Sequence, residues 1–282
     1  MTPANGLATL AGSYDGFIID MWGVLHDGTE TLPGAVAALG ALRAAGKGIL
    51  LLSNAPRRAA VLAAQIARLG IGGDLYDHLL SSGEAVYRAL AGRTDPFFAA
   101  LGRRLAHLGP AGDDDLFAGL DYRAVGMDRA DFILNSGPLD PAATVEDYRA
   151  DLEQGIIRGL PMVCANPDMV VIRGGRPVVC AGAFAARYED MGGQVVRRGK
   201  PDPAIYAEAL ARLGTRPART LCIGDGMPTD IAGAAAAGLD SLLICGGIHA
   251  AELGSPPDPA RIEALVTRHG LHPTAVMARF VW

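Results

Sequence analysis

Phe17-Ile18-Ile19-Asp20-Met21-Trp22-Gly23-Val24-Leu25-His26-Asp27-Gly28 reads as a buried strand that delivers a carboxylate and then turns away. Three contiguous apolar residues leave no polar face, the pattern of a strand covered on both sides in a parallel sheet. Open parallel sheets place their ligands beyond the carboxyl ends of their strands, where Asp20 falls. A single aspartate there means little, since aspartate also serves turns and helix caps. Three later segments end in a similar way, at Ser53, Lys200 and Asp225, and the four together decide the reading.

Outward from that strand the chain alternates. The pattern predicts a strand over 14–20, a loop over 21–31 and a helix over 35–45 that follows Pro33 and stops at Gly46. A strand over 48–52 then ends at Ser53-Asn54, and a helix over 57–69 closes at Gly70. Strand, helix, strand, helix implies parallel pairing through right-handed crossovers. A short strand over 78–81 and a helix over 83–90 follow. Beyond Thr94 the rhythm changes to short strand candidates at 103–108, 122–125, 132–135, 161–165 and 169–173, with an amphipathic helix over 146–158. Asp113-Asp114-Asp115 reads as a solvated helix start, where carboxylates meet the positive end of the helix dipole. The first sheet is expected to resume over 194–197, leading into Gly199-Lys200-Pro201 and a helix over 202–213. A strand over 220–223 runs into Gly224-Asp225-Gly226-Met227-Pro228-Thr229-Asp230. An alanine-rich helix over 231–237, a strand over 241–245 and a helix over 261–269 complete the chain. The expected organisation is α/β: a doubly wound parallel-sheet core from residues 1–86 and 188–282, with an inserted α/β domain at 87–187.

Composition narrows the function. The 282 residues are half hydrophobic and 20% charged, with a formal net charge of −5, which argues for a soluble protein with no nucleic-acid or membrane partner. No basic segment followed by an apolar stretch opens the chain, so a secretory signal is not expected. The weakly polar region 231–248 is broken by Asp240 and several glycines and does not suit a membrane span. Cys164, Cys180, Cys222 and Cys245 lie too far apart for a metal-type pair and read as buried thiols, in keeping with a cytoplasmic protein.

The four strand ends make a chemical set. Asp20 offers a nucleophilic or metal-binding oxygen, and Ser53 with the N–H groups after it can hold a phosphate oxygen at a helix start. Lys200 supplies a fixed positive charge, and Asp225 with Asp230 can hold a hard cation. Phosphoryl transfer needs charge neutralisation and an in-line nucleophile, and a carboxylate nucleophile splits it through an aspartyl phosphate. Carboxylates gathered at one edge repel, so they imply a bound cation such as Mg²⁺. Each residue also has a plainer use: Ser53 as a helix cap, Lys200 as a surface lysine, Asp225 in a tight turn, Asp230 as a cap of the following helix, and Asn166-Pro167-Asp168 as a turn.

The ordered motifs, Asp20 with its loop, Ser53, Gly199-Lys200-Pro201 and Gly224 through Asp230, resemble those of the haloacid dehalogenase (HAD) superfamily. The insert between the serine and lysine motifs resembles the type IIA cap of nitrophenylphosphatase, pyridoxal-phosphatase and sugar-phosphatase relatives, as does Asn166-Pro167-Asp168. The resemblance covers nearly the whole chain. It implies a Mg²⁺-dependent hydrolase of small phosphate monoesters, with Asp20 as phosphoryl acceptor and metal ligand. Ser53 and the Asn54 backbone would grip the phosphate, and Lys200 would neutralise charge between it and Asp20. Asp225, Asp230 and the main-chain carbonyl of Trp22 would complete the metal site. A homodimer through the cap is compatible with the resemblance.

Trp22 departs from that pattern. Phosphatases of the superfamily carry a second aspartate there, acting as general acid and then base, a role worth about 10²–10⁴ in rate. Three readings follow: the role passes to His26, Asp27 or a cap residue; the substrates have good leaving groups or the aspartyl phosphate is long-lived; or the chain binds phosphate ligands without turnover.

Overall fold

The computed structural model describes residues 1–282. Seven parallel strands form the larger sheet, in the order Thr2–Pro3, Ala275–Met277, Asp240–Ile244, Thr220–Gly224, Gly16–Asp20, Gly48–Ser53 and His78–Ser81. Strands that follow Gly16–Asp20 directly in the chain lie on one side of it, and those from the C-terminal part lie on the other. The strand order therefore reverses at the seam between Gly16–Asp20 and Thr220–Gly224, and such a reversal opens a crevice at the carboxyl edge. Pairing of Ile19 with Ile223 and of Asp20 with Leu52 brings Asp20, Ser53 and Asp225 to that edge within one residue of the same level.

The sheet is buried on both faces because its strands are apolar at successive positions. Phe17, Ile19, Ile49, Leu51 and Ile223 pack on one side with Leu39 and Leu42 of the helix Ala35–Ala44. Ile18, Leu50, Leu52 and Cys222 pack on the other with Ile205, Tyr206 and Ala209 of the helix Pro203–Leu213. Phe17, Ile18 and Ile19 are at most 2% exposed, and full burial of such a side chain stabilises by roughly 1.5–3 kcal/mol. This is the doubly wound α/β core expected.

A second parallel sheet lies in the insert, in the order Val195–Arg197, Met162–Cys164, Phe132–Asn135, Arg104–Leu108 and Arg123–Ala124. It too has two apolar faces, Leu105, Phe132, Leu134 and Val163 on one, Ala106, Ile133, Met162 and Cys164 on the other. No helix is long and apolar enough to cross a membrane. All four cysteines are buried and unpaired.

Three expectations need correction. Val195–Arg197 does not return to the first sheet but pairs with Met162–Cys164, so the insert's sheet continues past residue 187 and the core resumes at Gly199-Lys200. A strand at Arg176–Val179 was not anticipated; it pairs antiparallel with Val170–Arg173 as a hairpin, turned by Gly174 and Gly175 at positive φ. Asp113 is not a solvated helix start. It sits in a 3₁₀ turn, Ala111–Leu116, at 2% exposure, and its Oδ1 finds no hydrogen bond, with Arg57 of the core 3.7 Å away.

Candidate active site

The edge of the core sheet gathers four charged side chains into a buried group. Asp20, Asp225 and Asp230 place ligand atoms within 4.8 Å of one another, and all are at most 6% exposed. Lys200, also buried, donates from Nζ to Asp20 Oδ1 at 2.5 Å and to Asp230 Oδ1 at 2.8 Å. Asp225 Oδ2 accepts from the Ile248 N–H at 2.6 Å, and Asp230 Oδ2 accepts from the Gly226 N–H at 3.1 Å.

One lysine does not balance three carboxylates. Burial pushes the Asp20 carboxyl well above its ordinary range; Lys200 opposes that, and Asp230 and Asp225 push it further up. Asp225 is pushed up to about 7, first by burial and then by Asp230. Burial alone would lower the Lys200 ammonium, but Asp20, Asp230 and Asp168 outweigh it and hold it well above the usual value. A cluster so short of positive charge fits a hard divalent cation, which takes carboxylate oxygens and relieves their repulsion.

Local backbone makes this crowding feasible. Gly23 has φ of +80°, and a Cβ there would collide with the Asp225 carboxylate, so the loop after Asp20 can pass against the acidic group only as glycine. Gly28, at φ +90°, likewise leaves room for the Trp22 ring.

Ser53 and Asn54 stand beside the group on the next strand. Ser53 Oγ accepts from the Ala55 N–H at 3.1 Å, and its residue lines the cavity. The buried Asn54 amide joins core and insert: Oδ1 accepts from the Lys200 N–H at 2.8 Å, while Nδ2 donates to Lys200 O at 3.1 Å and to Asp168 Oδ1 at 2.8 Å.

A cavity of about 410 Å³ opens over the cluster. The core supplies its floor with Asp20, Ser53, Asn54, Lys200, Asp225 and Asp230, and Met169 to Ile172 of the insert form an apolar wall. Trp22 sits at the join. Its Nε1–H donates to Ile172 O at 2.9 Å, the Arg173 guanidinium lies 5.4 Å from its ring centroid, and His26 meets it edge-on at 5.4 Å. The side chain in the position of the second aspartate is therefore a tie to the insert.

The two core surrogates for that aspartate are placed differently. His26 does not line the cavity. It is 3% exposed, its Nδ1 accepts from the Gly28 N–H at 3.0 Å, its Nε2 is buried without a partner, and burial lowers its pKa to about 4. Asp27 does line the cavity, but its Oδ1 accepts from Thr29 Oγ1 and from the N–H groups of Thr29 and Glu30 at 2.6–2.9 Å. Those bonds hold its carboxyl below the usual range and keep it ionised.

Sequence reasoning did not anticipate the hairpin wall, Arg197 or His249 in the cavity. The Gly174-Gly175 pair between Val170–Arg173 and Arg176–Val179 was the available signal for the hairpin.

Similarity to known proteins agrees with this architecture. Residues 17–123 match a family model described as haloacid dehalogenase-like hydrolase, and residues 197–276 match one described as HAD-hydrolase-like. The chain is 30% identical to a D-glycerol 3-phosphate phosphatase of Mycobacterium tuberculosis, over 90% of this chain and 69% of that one. It is 30% identical to chronophin of Bos taurus, over 87% and 86%. A crystal structure of a haloacid dehalogenase-like hydrolase from Brucella suis superposes with a TM-score of 0.86 at 35% identity, over 99% of this chain and 100% of that one. The carboxylate cluster at the switch point, the inserted parallel sheet above it and these relatives agree, and the chain belongs to the haloacid dehalogenase superfamily of hydrolases, in its type IIA branch.

Proposed function

We propose that the chain hydrolyses small phosphate monoesters, such as sugar or cofactor phosphates, through an aspartyl phosphate on Asp20. The observation that carries this reading is the Lys200 ammonium bonded to Asp20 and Asp230 beside Asp225, with Ser53 and Asn54 at the same cavity floor. The phosphatase names of the relatives support it.

Asp20, Asp225, Asp230 and the main-chain carbonyl of Trp22 would hold Mg²⁺, which when bound supplies positive charge for the phosphoryl oxygens. The remaining work falls to the chain. Ser53 Oγ and the Asn54 N–H orient the phosphate, since donors at the end of a strand point toward an anion there. Lys200 neutralises charge shared between Asp20 and the phosphoryl group, a role that burial strengthens. The Met169 to Ile172 wall excludes water and covers the leaving group.

The test is release of inorganic phosphate from a panel of phosphate monoesters with Mg²⁺, for wild type and Asp20→Asn. Turnover by wild type and a loss of about 10³-fold or more in the variant is expected, the scale seen when a nucleophile is removed. The indole at the acid–base position favours one rival, a phosphate-ligand binder without turnover. Tight phosphate binding with no release from any ester would establish that rival instead.

A further inference from the structure

In-line displacement puts the leaving oxygen on the side of phosphorus away from Asp20. Asp20 rises from the core floor, so the leaving oxygen faces the insert. A proton donor for it has to reach the cavity from that side.

The ionisable groups around the cavity are few. On the core, Lys200 is bonded to Asp20 and Asp230, Asp225 accepts from the Ile248 N–H, and Asp27 is held ionised in its turn. His249 has Nε2 facing the Met227 N–H at 3.4 Å and Nδ1 beside Glu252 at 3.6 Å. On the insert, Arg197 is clamped by both oxygens of Glu189, at 2.6 and 2.7 Å, and an arginine does not give up its proton. That leaves Asp168.

Asp168 is built in from several directions. Its N–H donates to Asn166 Oδ1 at 3.0 Å, its carbonyl accepts from the Gly182 N–H at 3.0 Å, and its Oδ1 accepts from Asn54 Nδ2 at 2.8 Å. Its Oδ2 makes no hydrogen bond in the protein and is not among the buried unpartnered atoms, so it is accessible to solvent, and the residue lines the cavity. Four residues on, the Trp22–Ile172 bond fastens the same segment to the core.

We propose that Asp168 is the general acid and base of the reaction, supplied by the insert in place of the carboxylate missing at position 22, with Trp22 holding its segment over Asp20. The inference rests on the phosphatase reading above. In the first step an Asp20 oxygen bonds to phosphorus, the ester P–O bond breaks, and the Asp168 proton goes to the departing alcohol oxygen. In the second, Asp168 takes a proton from water, the water oxygen bonds to phosphorus, and the P–O bond to Asp20 breaks. Inorganic phosphate leaves, and Asp168 is protonated again. Burial raises the Asp168 carboxyl above the usual range, against Lys200 and the Asn54 amide and with help from Asp230, which suits a group that must hold a proton before giving it up.

Leaving-group dependence tests this. Nitrophenolate departs without a proton, whereas an alkoxide does not. Asp168→Asn and Asp168→Ser are compared with wild type on nitrophenyl phosphate and on an alkyl phosphate such as glycerol phosphate, with Mg²⁺. Inhibition by inorganic phosphate identifies which variants keep an intact site, and a variant that retains it is the one read. The expected result is a fall in kcat/KM about 10²-fold larger for the alkyl ester, from the usual size of acid catalysis. A burst of about one nitrophenolate per chain is also expected, because loss of the base slows breakdown of the aspartyl phosphate. Equal losses on both esters, or none on either, overturn the assignment. Absence of wild-type turnover on both esters overturns the phosphatase reading itself.

Discussion

Replacing Lys200 by methionine isolates the charge at the centre of the site, because the two side chains are similar in length and mainly the ammonium is lost. Lys200 is 3% exposed and bonds two carboxylates at 2.5 and 2.8 Å. Removing one partner of a buried ion pair costs about 3–5 kcal/mol, since the charge left behind is neither solvated nor paired. For the 282-residue chain, an unfolding entropy of about 2.1 cal/mol/K per residue totals about 0.6 kcal/mol/K. The same scale converts the loss into a fall in Tm of about 5–8 °C for metal-free protein at pH 7. A cation at 100 times its Kd adds about 2.7 kcal/mol to either protein, so Mg²⁺ should raise both Tm values while a gap between them persists. Scanning calorimetry of both proteins in EDTA and in saturating Mg²⁺ measures this. A Lys200→Met protein within about 1 °C of wild type in EDTA would refute a charge cluster that depends on the lysine.

Two further outcomes follow from the same geometry. The folded-state pKa of Asp225, about 7, lies above its ordinary 3.8, so its contribution to metal-free stability is present at pH 4 and is lost as pH rises through 7. Asp225→Asn should therefore be relatively more stable than wild type at pH 8 than at pH 4 in EDTA urea titrations, and should lose its stabilisation by Mg²⁺; a pH-independent difference would contradict this. Trp22→Phe removes the bond to Ile172 O, worth about 1 kcal/mol, and should speed amide exchange in the hairpin Val170–Val179 about fivefold. Unchanged exchange there would mean that the indole N–H does not hold the hairpin.

The core was legible because each of its long strands carries its own signal. Contiguous runs such as Phe17-Ile18-Ile19 and Ile49 to Leu52 cannot face solvent on either side, and each ends at a polar residue that the parallel register brings to one edge. The allegiance of Val195–Arg197 was not legible, since three strand-like residues carry no mark of which sheet will accept them. Thr2–Pro3 and Ala275–Met277 join the far edge through a pairing between the two chain ends, and neither segment shows local periodicity. Burial of Asp113 depends on packing in the insert, which a run of three aspartates does not express. At the site, the spacing of motifs was enough to gather Asp20, Lys200, Asp225 and Asp230. Which residues face the cavity depended on side-chain direction: His26 and Asp27 are adjacent in the chain, yet only Asp27 lines it.

The hydrogen bond from Trp22 to Ile172 also gives the molecule a built-in optical gauge. The chain has two tryptophans, and the other, Trp282, ends the sequence at 43% exposure. In a Trp282→Phe background all indole emission would come from a ring held between the core loop and the insert's hairpin, with the Arg173 guanidinium near one side. Separation of the insert from the core would replace a carbonyl and a cation with water around that ring. Its wavelength and quenching would then report any separation of the hairpin from the core, without any attached dye.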